Sequence, residues 1–78
     1  MANNVIVYST PSCPYCNMAK QYFKENDVDF VDYDVSKDRE KAKEMINKSG
    51  QQGVPVIDID GEIIVGFDKN RIESLISE

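Results

Sequence analysis

The chain has 78 residues, nine basic and fourteen acidic, no histidine, and a net charge of −5. That length holds one small domain, residues 1–78, and an acidic balance without a basic cluster excludes nucleic acid as a partner. The absence of histidine removes the usual general base, the commonest metal ligand and any cysteine–histidine protease dyad.

Asn4 to Ser9 reads as a first strand, apolar on both faces, as expected of a central strand covered by helices on both sides. It ends at Thr10-Pro11-Ser12. Pro14 suits a first helical position, and Tyr15, Ala19, Tyr22 and Phe23 recur at helical spacing until Glu25-Asn26-Asp27. Val28 to Val35 is rich in β-branched and aromatic residues and predicts a second strand, parallel to the first through the helical crossover. Ser36 is the expected cap of a second helix whose apolar side holds Ala42, Met45 and Ile46, and Gly50 ends it. Val56 to Ile59, then Asp60-Gly61, then Ile63 to Val65 predict a tight antiparallel hairpin. Asp68 is placed to cap a last helix striped by Ile72, Leu75 and Ile76. The expected order is β-α-β-α-β-β-α, an α/β fold with a four-stranded mixed sheet and helices on both faces. No apolar run approaches the roughly 18 residues that cross a bilayer. The start Met1-Ala2-Asn3-Asn4 has neither a basic region nor a long apolar core. A cytoplasmic monomer without a membrane partner is expected.

The only cysteines are Cys13 and Cys16, spelled Cys-Pro-Tyr-Cys at the start of the first helix. Structural zinc needs four ligands, and one chain offers two thiols and no imidazole, so no metal is assigned. A structural disulfide closing so short a ring contributes only about 2 kcal/mol by loop entropy. Redox chemistry fits better. Cys13 falls at the N-cap and Cys16 one turn inside, where the main-chain N–H groups of Tyr15 and Cys16 are placed to stabilise an anionic Cys13 sulfur. The two sulfurs are therefore unequal, Cys13 the nucleophile and Cys16 the resolving thiol. Tyr15 is read as packing beside the sulfurs, Met18 and Met45 as helix packing, and Lys20 and Lys24 as solvated.

With Val54-Pro55 some forty residues beyond the cysteines and Gly66-Phe67-Asp68 beyond that, nearly the whole chain resembles a glutaredoxin, of the kind found in short bacterial glutaredoxin-like proteins. The resemblance implies the minimal thioredoxin fold, with a cis Pro55 facing the cysteines. It also implies glutathione-dependent thiol–disulfide oxidoreductase activity on protein disulfides and glutathionylated substrates, with glutathione as cosubstrate and no permanently bound cofactor. Thr10, Tyr15, Val54, Pro55, Gly66, Phe67 and Asp68 then form the glutathione and substrate site. Val54 contributes its main chain, and the helix start at Asp68 holds the γ-glutamyl carboxylate.

The chain departs from that pattern at three positions. Thr10 stands where glutathione-using members carry lysine, Gly53 where threonine commonly precedes Val-Pro, and Phe67 where a second glycine is frequent. These changes lean toward redoxins reduced by thioredoxin reductase, including donors to ribonucleotide reductase, which makes that reductase a second expected partner. A third class is a dimeric carrier whose Cys13 thiols and two glutathiones ligate a [2Fe–2S] cluster. Some bacterial relatives carry selenocysteine at the first position, where this chain reads Cys13.

Overall fold

The computed structural model describes residues 4–76. They form β1 (Val5–Ser9), α1 (Pro14–Glu25), β2 (Val31–Asp34), α2 (Arg39–Ser49), β3 (Val56–Ile59), β4 (Glu62–Val65) and α3 (Lys69–Ile76). Met1, Ala2 and Asn3, read above as part of a start without a leader, lie outside the described residues. The strands make one sheet in the order β2-β1-β3-β4, with β1 parallel to β2 and antiparallel to β3, and β3 antiparallel to β4. This is the expected mixed sheet of the thioredoxin fold.

Period-two alternation sends each strand's side chains to two separate cores. Val5 and Val7 pack with Ala19 and Phe23 of α1, Ile57, Ile59 and Ile64 of the hairpin, and Ile72 of α3. On the opposite face Tyr8 and Val56 pack with Met45 of α2. Val7, Phe23, Ile57 and Ile72 are fully buried, and each such side chain contributes about 1.5–3 kcal/mol of transfer free energy. The hairpin turns through Asp60 and Gly61, at φ 52° and 95°, the paired positive angles of the turn that matches strand twist.

Beneath α2 the core is partly polar. The Tyr8 hydroxyl donates to Glu44, while Lys48 donates to the Tyr8 oxygen at 2.9 Å and to Asp58 at 2.7 Å. Asp58, 8% exposed, also accepts the Gly61 N–H at 2.8 Å. Every buried polar side-chain atom among the described residues has a partner, so this network fixes α2 against β1 and β3 without an unmet donor or acceptor.

Two local expectations are corrected. The second helix is capped by Asp38, not Ser36. The Asp34 carboxylate accepts both the N–H of Ser36, at 3.0 Å, and its hydroxyl, at 2.5 Å, which holds Ser36 in a turn. Asp38 is then the extended residue before the helix and accepts the Lys41 N–H at 3.2 Å. The second strand covers Val31–Asp34 rather than Val28 to Val35, because the Val28 N–H closes the end of α1 on the Phe23 carbonyl at 2.8 Å. Gly50 ends α2 in the left-handed conformation, as expected. No helix among the described residues is long and apolar enough to cross a membrane.

Candidate redox site

The cysteine pair is built by the junction of β1 and α1. The Cys13 N–H bonds the Thr10 carbonyl at 3.3 Å, closing the turn after β1, and Pro14 opens the helix where a missing N–H costs nothing. Cys13 is the N-cap, extended at φ −95° and ψ 110°, and its sulfur accepts the Cys16 N–H at 3.1 Å. A sulfur thus occupies the position that a serine or aspartate oxygen usually takes at a helix start. Of the two donors expected there, Cys16 N–H makes the bond and Tyr15 N–H does not.

Both cysteines are free thiols, and their surroundings differ. Cys13 is partly exposed, whereas Cys16 is fully buried. Burial first, and then the hydrogen bond with Cys13, push the Cys16 thiol up to about 12. Cys16 therefore keeps its proton at neutral pH. The Thr10 main chain and the Lys20 charge act in the opposite direction.

Val54 meets this pair from the loop that enters β3, the neighbour of β1 in the sheet. Its carbonyl oxygen lies 3.8 Å from the Cys13 sulfur and accepts the S–H, and the Val54-Pro55 peptide is cis. Tyr15, Val54, Pro55, Val65, Gly66, Phe67 and Asp68 line one groove of about 330 Å³ beside the cysteines. Six of the seven non-cysteine site residues expected from sequence are therefore brought together. The seventh, Thr10, contributes its carbonyl to the cysteine turn and does not line the groove.

Each wall of the groove has a local cause. The Gly66 N–H bonds the Pro55 carbonyl at 2.8 Å, continuing the β3–β4 ladder past Val65. Phe67 packs edge-on against Tyr22, ring centres 6.1 Å apart, which anchors the wall to the core. Asp68 caps α3 by accepting the Arg71 N–H at 3.2 Å. Val65 was missed by sequence reasoning, although the hairpin register that pairs it with Val56 sets it beside Pro55.

Tyr15, in the groove wall, is 62% exposed, and Met18 is 49% exposed, so Met18 is not the packing residue expected. Among the described residues, Asp68 is the one charged residue that lines the groove. Lys20, read as solvated, pairs with Asp32 at 3.1 Å. A larger depression, about 630 Å³, lies at the opposite end of the strands around Asn4, Val5 and Gly61 and contains neither cysteine. Among the described residues, no group of three or more potential ligands is arranged to hold a metal ion.

The glutaredoxin family model matches residues 5–64. The chain is 51% identical over 72 residues to an uncharacterized glutaredoxin-like 8.6 kDa protein in a rubredoxin operon of Clostridium pasteurianum, covering 92% of this chain and 96% of that protein. It is 38% identical over 65 residues to glutaredoxin 3 of Escherichia coli, covering 83% of this chain and 78% of that protein. A crystal structure of a thioredoxin-like protein superposes with a TM-score of 0.88 at 30% identity, over 94% of this chain and 100% of that one.

Proposed function

The chain belongs to the glutaredoxin family, and from that membership we propose that it is a glutathione-dependent thiol–disulfide oxidoreductase with Cys13 as nucleophile and Cys16 as resolving thiol. The observation that carries this reading is the inequality of the two sulfurs. Cys13 is partly exposed, accepts an N–H at a helix start and adjoins the groove, while Cys16 is buried and held protonated.

The Cys13 thiolate attacks one sulfur of a substrate disulfide, breaking that S–S bond and releasing the other sulfur as a thiolate, which takes up a proton. The Cys16 thiol then loses its proton and attacks the Cys13 sulfur, freeing the reduced substrate and leaving a Cys13–Cys16 disulfide. Two electrons and two protons from two glutathione molecules restore the dithiol. With a glutathionylated substrate, a second glutathione resolves the Cys13 mixed disulfide directly, without Cys16. Val54 pairs with the substrate main chain, and Tyr15, Pro55, Gly66, Phe67 and Asp68 hold it in the groove. The protein acts as a cytoplasmic monomer on glutathione and protein disulfides, with no permanently bound cofactor.

A second reading has a specific observation in its favour. Among the described residues no cation lines the groove, and Thr10 is neutral, so none of them offers a glutathione carboxylate a charged partner there. A redoxin reduced by thioredoxin reductase fits that groove equally well. Turnover with glutathione plus glutathione reductase, measured beside turnover with thioredoxin reductase, separates the two. Fast turnover in the first system supports glutathione dependence; turnover only in the second overturns it.

A further inference from the structure

Gly53 and Gln51 form a closed unit immediately before Val54. The Gln51 side-chain amide donates to the Gly53 carbonyl at 2.9 Å, and its oxygen accepts the Gly53 N–H at 2.6 Å. One side chain thus takes both main-chain groups of Gly53, much as a neighbouring strand would. Gln51 is itself anchored. The Ser49 hydroxyl accepts the Gln51 N–H at 3.4 Å and shares its one proton between the Met45 and Gln51 carbonyls, at 2.7 and 3.0 Å, tying the loop to the last turn of α2.

The Gln51 amide occupies the space that a side chain at position 53 would enter. A Cβ built on Gly53 would lie 2.7 Å from the Gln51 amide oxygen, closer than real Cβ contacts come. The φ of Gly53 is not in the left-handed region, and the atom in the way is the end of the Gln51 side chain, so a residue larger than glycine is accommodated only by displacing that amide. A connected path runs from α2 through Ser49 and Gln51 to Gly53, and the next residue presents the carbonyl that faces the Cys13 sulfur.

We infer that Gln51 is a positioning residue, holding the Gly53 main chain so that Val54 presents its backbone to the disulfide substrate beside Cys13. This rests on the functional reading above. Gln51 touches neither sulfur and does not line the groove, so it acts through Val54 alone. Its loss loosens substrate capture and leaves the chemistry of Cys13 intact.

The test uses fully reduced full-length protein and, as probe, a short peptide whose cysteine is glutathionylated, with single-turnover rates followed to saturation. For Gln51→Ala the half-saturating peptide concentration rises about five- to tenfold, as expected for losing hydrogen bonds worth about 1 kcal/mol, while the limiting rate stays within about twofold. Alkylation of Cys13 by iodoacetamide, which needs no groove, also stays within about twofold of wild type. Gly53→Ala, which displaces the amide, gives the same shift, and the double variant is no worse than either single one, because both break one unit. A thermal melt checks folding, and Gln51→Met, which keeps the length of the side chain, replaces Gln51→Ala if the latter fails to fold. An unchanged half-saturation, multiplying effects in the double variant, or alkylation falling in step with peptide capture overturns the role of Gln51. A wild-type protein that is alkylated normally but does not react with the peptide overturns the glutathione-dependent reading, and with it this role in capturing a glutathionylated substrate.

Discussion

The Cys13 sulfur and the Val54 carbonyl oxygen lie 3.8 Å apart although 41 positions separate them in sequence. One belongs to a helix N-cap after β1 and the other to the loop entering β3. The antiparallel pairing of those strands, with Tyr8 opposite Val56, carries both to the same end of the sheet. A partly exposed cysteine sulfur thereby meets a main-chain acceptor that lines the groove.

The unequal sulfurs predict unequal cysteine variants. Cys13→Ser should lower the rate with any disulfide by more than about a hundredfold, because the nucleophile is gone. Cys16→Ser should abolish reduction of protein disulfides and retain activity on a glutathionylated peptide with glutathione as the second thiol. Assays of both variants on both substrates check this. Equal loss in Cys16→Ser on the peptide would remove the route without Cys16.

Thr10→Lys should lower the Michaelis constant for glutathione several-fold. A charge-assisted contact of about 1.5–3 kcal/mol corresponds to roughly ten- to a hundredfold in affinity, and solvent at this partly exposed position reduces it. Raising the salt concentration should erode the gain, since an exposed ionic contact is screened. An unchanged constant, together with fast turnover by thioredoxin reductase, would favour the second reading of the electron donor.

Asp68 caps α3 through the Arg71 N–H, so Asp68→Ala should cost about 1 kcal/mol, or about 4–8 °C in Tm for a domain of this size. Asp68→Asn keeps an acceptor oxygen and should retain most of that stability. Thermal melts of the two variants measure the difference, and equal losses would show that capping is not the source.

Stability should fall in acid through Glu44. The Tyr8 hydrogen bond foremost, aided by Lys41 and Lys48, holds its carboxyl below the ordinary 4.5. A carboxyl lowered in the folded state stabilises above its unfolded pKa, and that contribution is lost as pH falls through the folded value. Tm should therefore begin to drop below about pH 4.5, and Glu44→Gln should flatten this part of the profile. Lys48 is displaced the other way. Burial alone would lower it, but hydrogen bonds with Asp58 and Tyr8 outweigh that. Its contribution is present at neutral pH and lost in strong alkali, above the ordinary 10.5. A profile for Glu44→Gln that parallels wild type in acid would remove Glu44 as the cause.

Local chemistry made several features legible before any coordinates. Asp60-Gly61 specified the hairpin because few residue pairs accept two positive φ angles in succession. Pro14 placed the helix start, and with it Cys13 at the cap, because proline suits a position whose N–H has no partner. The cap of α2 was misplaced because Ser36, Asp34 and Asp38 are all capable cap or turn formers. Which one serves depends on where the Asp34 carboxylate points. Met18 was misread for a related reason, since an apolar residue on a helix does not by itself reveal whether another element covers it, and Met18 is half exposed.

The sequence by itself determined the order of the elements, the two-sided burial of β1 and the unequal stations of Cys13 and Cys16, because periodicity, turn residues and helix capping act over a few neighbouring residues. Only the tertiary structure decided what surrounds the sulfurs. The Val54 carbonyl facing Cys13, Val65 in the groove wall and the Gln51 amide closed on Gly53 depend on strand register and on loop side chains filling space left by a missing Cβ. Strand register joins residues across the whole chain, and the Gln51–Gly53 contact depends on a loop path anchored at α2, which no local pattern specifies.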